Sequence, residues 1–219
     1  MPDILLINPN SSQATTEMMV RIAQAEAPEG CAIVGATARR GPPMIVNETE
    51  LAAAAHEVEL AWRAASTPHA GVIVSAFGDP GVDLLRRASP GLPVVGICEA
   101  SMFEAAEGGR RFGVATVTPE LVDAIDAKAR ELGLAPLYTG VRLTPGEPRA
   151  LTASPQALED ALAEAVQACL DDGAQAVIIG GGPLGQAAIG VAARLDAPMV
   201  APIPAAVRRM ARQLALAPV

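Results

Sequence analysis

Val72-Ile-Val-Ser-Ala-Phe-Gly-Asp-Pro-Gly81 decides the fold. Three β-branched apolar residues run into a turn of small residues. That pattern reads as a strand buried on both faces with a tight loop at its C-terminal end. Val177-Ile-Ile-Gly-Gly-Gly-Pro-Leu-Gly185 repeats the design, and Val177 lies 105 positions after Val72. The same offset sets Ala76 opposite Gly181, helix 51–66 on 156–171, and Val94-Val95 on Met199-Val200. Residue identity between the halves is low, so what repeats is a pattern of elements. In open α/β sheets ligands bind beyond the carboxyl ends of the strands. Two such lobes about a pseudo-twofold axis would turn both loops towards one cleft.

Outward from that stretch, apolar runs alternate with helical patterns. Strands are expected at 4–7, 31–34, 72–75 and 93–97, then at 112–117, 137–143, 176–179 and 198–201. Helices are expected at 13–26, 48–66, 82–88 and 100–107, then at 119–132, 155–172, 185–194 and 205–215, with irregular loops at 39–47 and 144–152. The βαβα rhythm predicts an α/β protein of two similar lobes, each a mostly parallel sheet flanked by helices. Residues 1–96 with 205–219 form the first lobe, the closing helix returning to it, and 97–204 form the second.

Composition narrows the function. The 219 residues are 51% hydrophobic and 18% charged, which supports a substantial core. Aromatics are 2% and the net charge is −8, which argues against base-stacking surfaces and polyanion partners. No signal peptide or membrane span is expected. Cys31, Cys98 and Cys169 are an odd number without metal-ligand spacing, so the expectation is reduced thiols in the cytoplasm and no metal. There is no Gly-x-Gly-x-x-Gly, Walker loop or Gly-x-Ser-x-Gly elbow.

Candidate ligand-binding groups cluster at the expected strand ends. Gly180-Gly-Gly182 and Phe77-Gly-Asp79 each lead into a helix, where successive N–H groups attract a carboxylate or a developing oxyanion. The glycines also suit plain strand-to-helix turns. Asn8, Asn10 and Ser11 can bond a carbonyl or amide, and equally suit an N-cap and turn. Thr116, Val117 and Thr118 offer hydroxyl and N–H groups, or a cap for the helix after Pro119. Asp79 reads first as a cap for the helix behind it. Cys98 and Glu99 sit together at an expected strand end near the cleft, as a thiol and a carboxyl or as packed structural residues. His56 and His69 fall away from the strand C-termini and read as surface or packing residues.

Asn8-Pro-Asn-Ser11, Phe77-Gly-Asp-Pro-Gly81, Gly96-Ile-Cys-Glu-Ala100, Thr116-Val-Thr118 and the Gly180–Gly182 loop together resemble the aspartate/glutamate/hydantoin racemase superfamily, nearest its hydantoin and allantoin branch. The resemblance covers essentially the whole chain. It implies a cofactor-independent, often oligomeric protein acting on a carbon made acidic by a neighbouring carbonyl. One cysteine, as thiolate, removes the proton and a second, as thiol, returns one from the far face. Here Ala76 and Gly181 occupy those two positions, and neither can carry a proton.

The sequence therefore predicts a divergent member of that superfamily. It would bind or act on a small carboxylate or hydantoin-like cyclic amide in the interlobe cleft, with two-cysteine racemisation disabled. Two alternatives are a catalytically silent binding homologue and a racemase whose cysteines have been replaced. Altered chemistry of lyase, hydrolase or isomerase type would fall to Cys98, Glu99 or Ser75. The expected partners are a small molecule and further copies of the chain, without nucleic acid or membrane.

Overall fold

The computed structural model describes residues 3–65, 68–195 and 197–215. Two four-stranded parallel sheets carry the chain. The first contains β1 (Asp3–Asn8), β2 (Ala32–Thr37), β3 (Gly71–Val74) and β4 (Val94–Gly96), in the order β2-β1-β3-β4. The second contains β5 (Phe112–Thr116), β6 (Tyr138–Leu143), β7 (Ala176–Ile179) and β8 (Met199–Val200), in the order β6-β5-β7-β8. Around them lie α1 (Gln13–Glu26), α2 (Glu48–Ala64), α3 (Val82–Ala88), α4 (Ile97–Ala105) and α5 (Val122–Glu131). Then come α6 (Pro148–Thr152), α7 (Pro155–Asp171), α8 (Gly185–Ala192) and α9 (Pro202–Gln213).

The two-residue period of a strand divides the core. Ile4, Leu6 and Ile73 face inward and join Phe112, Val114 and Ile178 of the second sheet in one cluster, filled by α1, α4 and α9. Leu5, Ile7, Val72 and Val74 face the other way, onto Val58 of α2 and Leu85 of α3. Val177 and Ile179 do the same onto α7 and α8. Both faces of the inner strands β1, β3, β5 and β7 are thus covered, which is why they read as unbroken apolar runs, while the edge strands β2 and β6 are partly exposed.

The halves repeat down to single hydrogen bonds. Val72 N–H donates to the Pro93 carbonyl and Val177 N–H to that of Pro198, both at 2.9 Å. Ser75 N–H donates to Ile7 and Gly180 N–H to Ala115, again at 2.9 Å. Ala38 N–H to Asn8 is matched by Thr144 N–H to Thr116. The equivalent loops therefore leave equivalent strand ends.

Several element bounds differ from expectation for physical reasons. The helix expected at 100–107 begins at Ile97, because its amides are capped by a side chain from another segment, described below. The helix expected at 205–215 begins at Pro202; proline is tolerated in a first turn, where its missing N–H has no partner to lose. β2 runs on to Thr37 through Gly35 and Ala36, held by its register with β1. The loop 144–152 contains α6, whose first amides are accepted by Glu147. Pro119–Leu121 is a separate 3-10 turn before α5.

Candidate functional site

The first wall of the site is the loop after β3. Ser75 Oγ donates to the Ile7 carbonyl at 2.8 Å, tying the strand end to β1. The chain then turns through Gly78 at φ +114 and Asp79 at φ +55, with Asp79 N–H on the Ala76 carbonyl at 3.1 Å. The Asp79 carboxylate crosses to α4, accepting from Cys98 N–H at 2.8 Å and Glu99 N–H at 2.7 Å. Asp79 thus caps α4, not the helix behind it as its position suggested. Glu99 folds back to accept from Gly96 N–H at 3.3 Å and pairs with Arg86 of α3.

The second wall is the loop after β7. Thr116 Oγ1 donates to the Gly180 carbonyl at 2.7 Å and lies 3.3 Å from Thr118 Oγ1. Gly181 has φ +155, and Leu184 N–H closes the turn on its carbonyl at 3.1 Å. The two walls touch: a Cβ on Gly182 would lie 2.7 Å from the Ser75 carbonyl oxygen, and one on Gly180 would lie 3.0 Å from the Phe77 ring.

Between them is a small cavity of ≈ 40 Å³. Ala76 and Phe77 line one side, and Gly180, Gly181, Gly182 and Leu184 the other. Thr116, Val117, Thr118 and Leu121 come from the β5 end, Asn10 from the β1 end, and Met44 and Ile45 from the segment after β2. No lining side chain is a carboxylate, imidazole, thiol or amine. A wider depression of ≈ 680 Å³ lies between β2 and α2 and includes none of the residues of either wall.

Of the residues singled out from sequence, Asn10, Ser75, Ala76, Phe77, Thr116, Val117, Thr118, Gly181 and Gly182 line this cavity. Asn8 does not; it is fully buried and its Nδ2 serves Asn10, Ser12 and Thr16. Ser11 is occupied by the carbonyls of Pro42 and Gly41, and Gly78 lies against Leu51. Cys98 and Glu99, expected at a strand end by the cleft, are instead in the first turn of α4, buried and off the cavity wall. Burial, then the neighbouring Asp79, pushes the Cys98 thiol well above its usual range, so it stays protonated and inert. Burial and then Glu99 raise Asp79 to about 7, against the two amide bonds and Lys128. Met44, Ile45, Leu121, Pro183 and Leu184 line the cavity without having been singled out. The strand-end rule applied to β2 as well as β3 would have found the first two. His56 is exposed and His69 half-buried, both away from the cavity.

The model of the family described as Asp/Glu/hydantoin racemase matches residues 4–210. The chain belongs to this family. It is 30% identical over 213 residues to the hydantoin racemase of Paenarthrobacter aurescens, covering 94% of this chain and 88% of that protein. The crystal structure of allantoin racemase from Pseudomonas fluorescens superposes with a TM-score of 0.90 at 27% identity, covering 99% of this chain and 93% of that one. A maleate isomerase from Pseudomonas putida, at 16% identity and a TM-score of 0.72, shares the fold alone. Among the described residues no cluster of three His, Cys, Asp or Glu could hold a metal, and no helix is long and apolar enough to cross a membrane.

Proposed function

We propose that this racemase-family protein binds a small hydantoin-like cyclic amide, or a small carboxylate, between loops 75–77 and 180–182, without two-thiol racemisation. The observation that carries the reading is the lining itself: Ala76 and Gly181 face one cavity and no titratable side chain joins them there. Inversion at a carbon needs a proton acceptor on one face and a donor on the other. Binding needs less. Among the described residues no protein acceptor meets the N–H groups of Phe77, Val117, Thr118 or Gly181, which leaves them to a ligand's carbonyl or carboxylate oxygen. Ser75, Thr116 and Thr118 are the lining residues with hydroxyls; that of Ser75 is committed to the Ile7 carbonyl and that of Thr116 to the Gly180 carbonyl. The lobe division at residues 96 and 205, assembly into a homo-oligomer and a cytoplasmic setting belong to the same proposal.

A cavity of ≈ 40 Å³ is near the volume of a single water, about 30 Å³, and far below the several hundred Å³ of an ordinary ligand pocket. Entry of a five-membered ring therefore requires the cavity to widen. Titration calorimetry with 5-isopropylhydantoin, allantoin and pyruvate tests the reading. Saturable binding of at least one probe is expected, with loss of that binding in Ala76→Leu, which fills the cavity. Absence of heat for all three up to their solubility limits would contradict it.

A further inference from the structure

The buried carboxyl behind the first wall has no part in the ligand reading above, yet its surroundings are built around it. Asp79 is only 5% exposed and sits at φ +55, a conformation in which side chains other than Asn or Asp are rare. Glycines were available to the same turn at 78 and 81, so the side chain, not the backbone, is what position 79 requires. Both carboxylate oxygens are engaged by α4 amides. Gly96, with an ordinary extended backbone, is the seat: a Cβ there would overlap the Asp79 carboxylate. Gly78 N–H faces the Cys98 sulfur from the same loop, a second tie to the first turn of α4.

The geometry points to Asp79 as a positioning residue. Its carboxyl, seated on Gly96 and gripping α4, holds the backbone of Ala76 and Phe77 at the cavity wall, and gain or loss of its proton sets how readily that wall opens. The charged and titratable groups around it are Glu99 and Cys98 on α4, Lys128 on α5, and Arg86 on α3 acting through Glu99. Opening the loop returns the carboxyl to water, where it ionises at its ordinary 3.8 rather than at about 7. Linkage then fixes the sign: the closed loop holds the proton more tightly, so opening becomes easier as pH rises towards 7 and levels off above it. Any ligand that needs the closed wall inherits the same slope, and in that respect the inference rests on the cavity being a ligand site.

Amide hydrogen exchange over residues 75–82, corrected for intrinsic chemistry and followed from pH 5 to 8, tests this without a ligand, so its failure is separable from failure of the binding reading. Protection in the wild type is expected to fall by roughly 50-fold between pH 5 and 7, given tenfold per pH unit for one proton, while β5 and β7 hold theirs. Asp79→Asn should flatten the profile. Gly96→Ala, which displaces the carboxyl without touching it chemically, should lower protection of the loop at least tenfold at pH 5 in a folded protein. A flat wild-type profile, an unchanged slope in Asp79→Asn, or full loop protection in Gly96→Ala would each overturn the assignment.

Discussion

The loop after β3 and the loop after β7 leave equivalent strand ends, yet they are braced by opposite means. The first is held by polar contacts: Asp79 on the α4 amides, Glu99 on Arg86 and Gly96, Ser75 on Ile7. The second has one side-chain tie, Thr116 on the Gly180 carbonyl, and is otherwise held by close packing of glycines, with Gly180 against Val114 and Phe77, Gly181 against Leu184, and Gly182 against the Ser75 carbonyl. The contrast bears on the proposal that positions 76 and 181 correspond to a thiol pair. At Ala76 the backbone is ordinary and a side chain already stands at the half-buried cavity wall. At Gly181 the backbone has φ +155, and a Cβ would meet Leu184 at 3.0 Å. Position 76 already carries a side chain at the wall, whereas the fold around 181 crowds any side chain placed there.

The largest effect in breaking that contrast is expected at Gly182→Ala. The added methyl would lie 2.7 Å from a backbone oxygen of the opposite wall, which cannot swing away. Overpacking of this kind should lower stability by about 3 kcal/mol, read from the urea midpoint at constant m. Gly181→Cys is expected to be next, at about 2 kcal/mol for backbone strain and the Leu184 contact together. Combining it with Leu184→Ala sharpens the point: the leucine truncation should cost about 1 kcal/mol less in the Gly181→Cys background than alone. Additive values would show that Leu184 does not close the position. Ala76→Cys should be mildest, changing stability by less than about 0.5 kcal/mol. Its thiol should react with iodoacetamide in the native protein, whereas buried Cys31, Cys98 and Cys169 stay unmodified until unfolding.

Much of this architecture is legible in the chain. The run at 176–179 is β7 to the residue, and the 105-residue offset between Val72 and Val177 survives as matched bonds to Pro93 and Pro198. What local reading misses comes from elsewhere in space. Gly96-Ile-Cys-Glu99 shows no side-chain N-cap of its own, so α4 reads as starting later; its cap is Asp79, and a pattern search cannot see across that gap. Cys98 and Glu99 are misplaced for the same reason, because a strand end and a helix first turn point the same residues in different directions. Met44 and Ile45 follow Gly41-Pro-Pro43, an irregular stretch whose destination over the cavity depends on Ser11 holding Gly41 and Pro42. The site residues found by motif are those at the ends of β1, β3, β5 and β7, and that placement follows directly from strand order.

The central proposal is that the cavity takes its ligand with no proton carrier in the wall, and proton NMR of 5-isopropylhydantoin in heavy water tests it most directly. The account predicts that the C5–H signal of the hydantoin persists with the protein present as long as it does in buffer alone, even at saturating ligand. Washout of that signal at a rate proportional to protein concentration would contradict it.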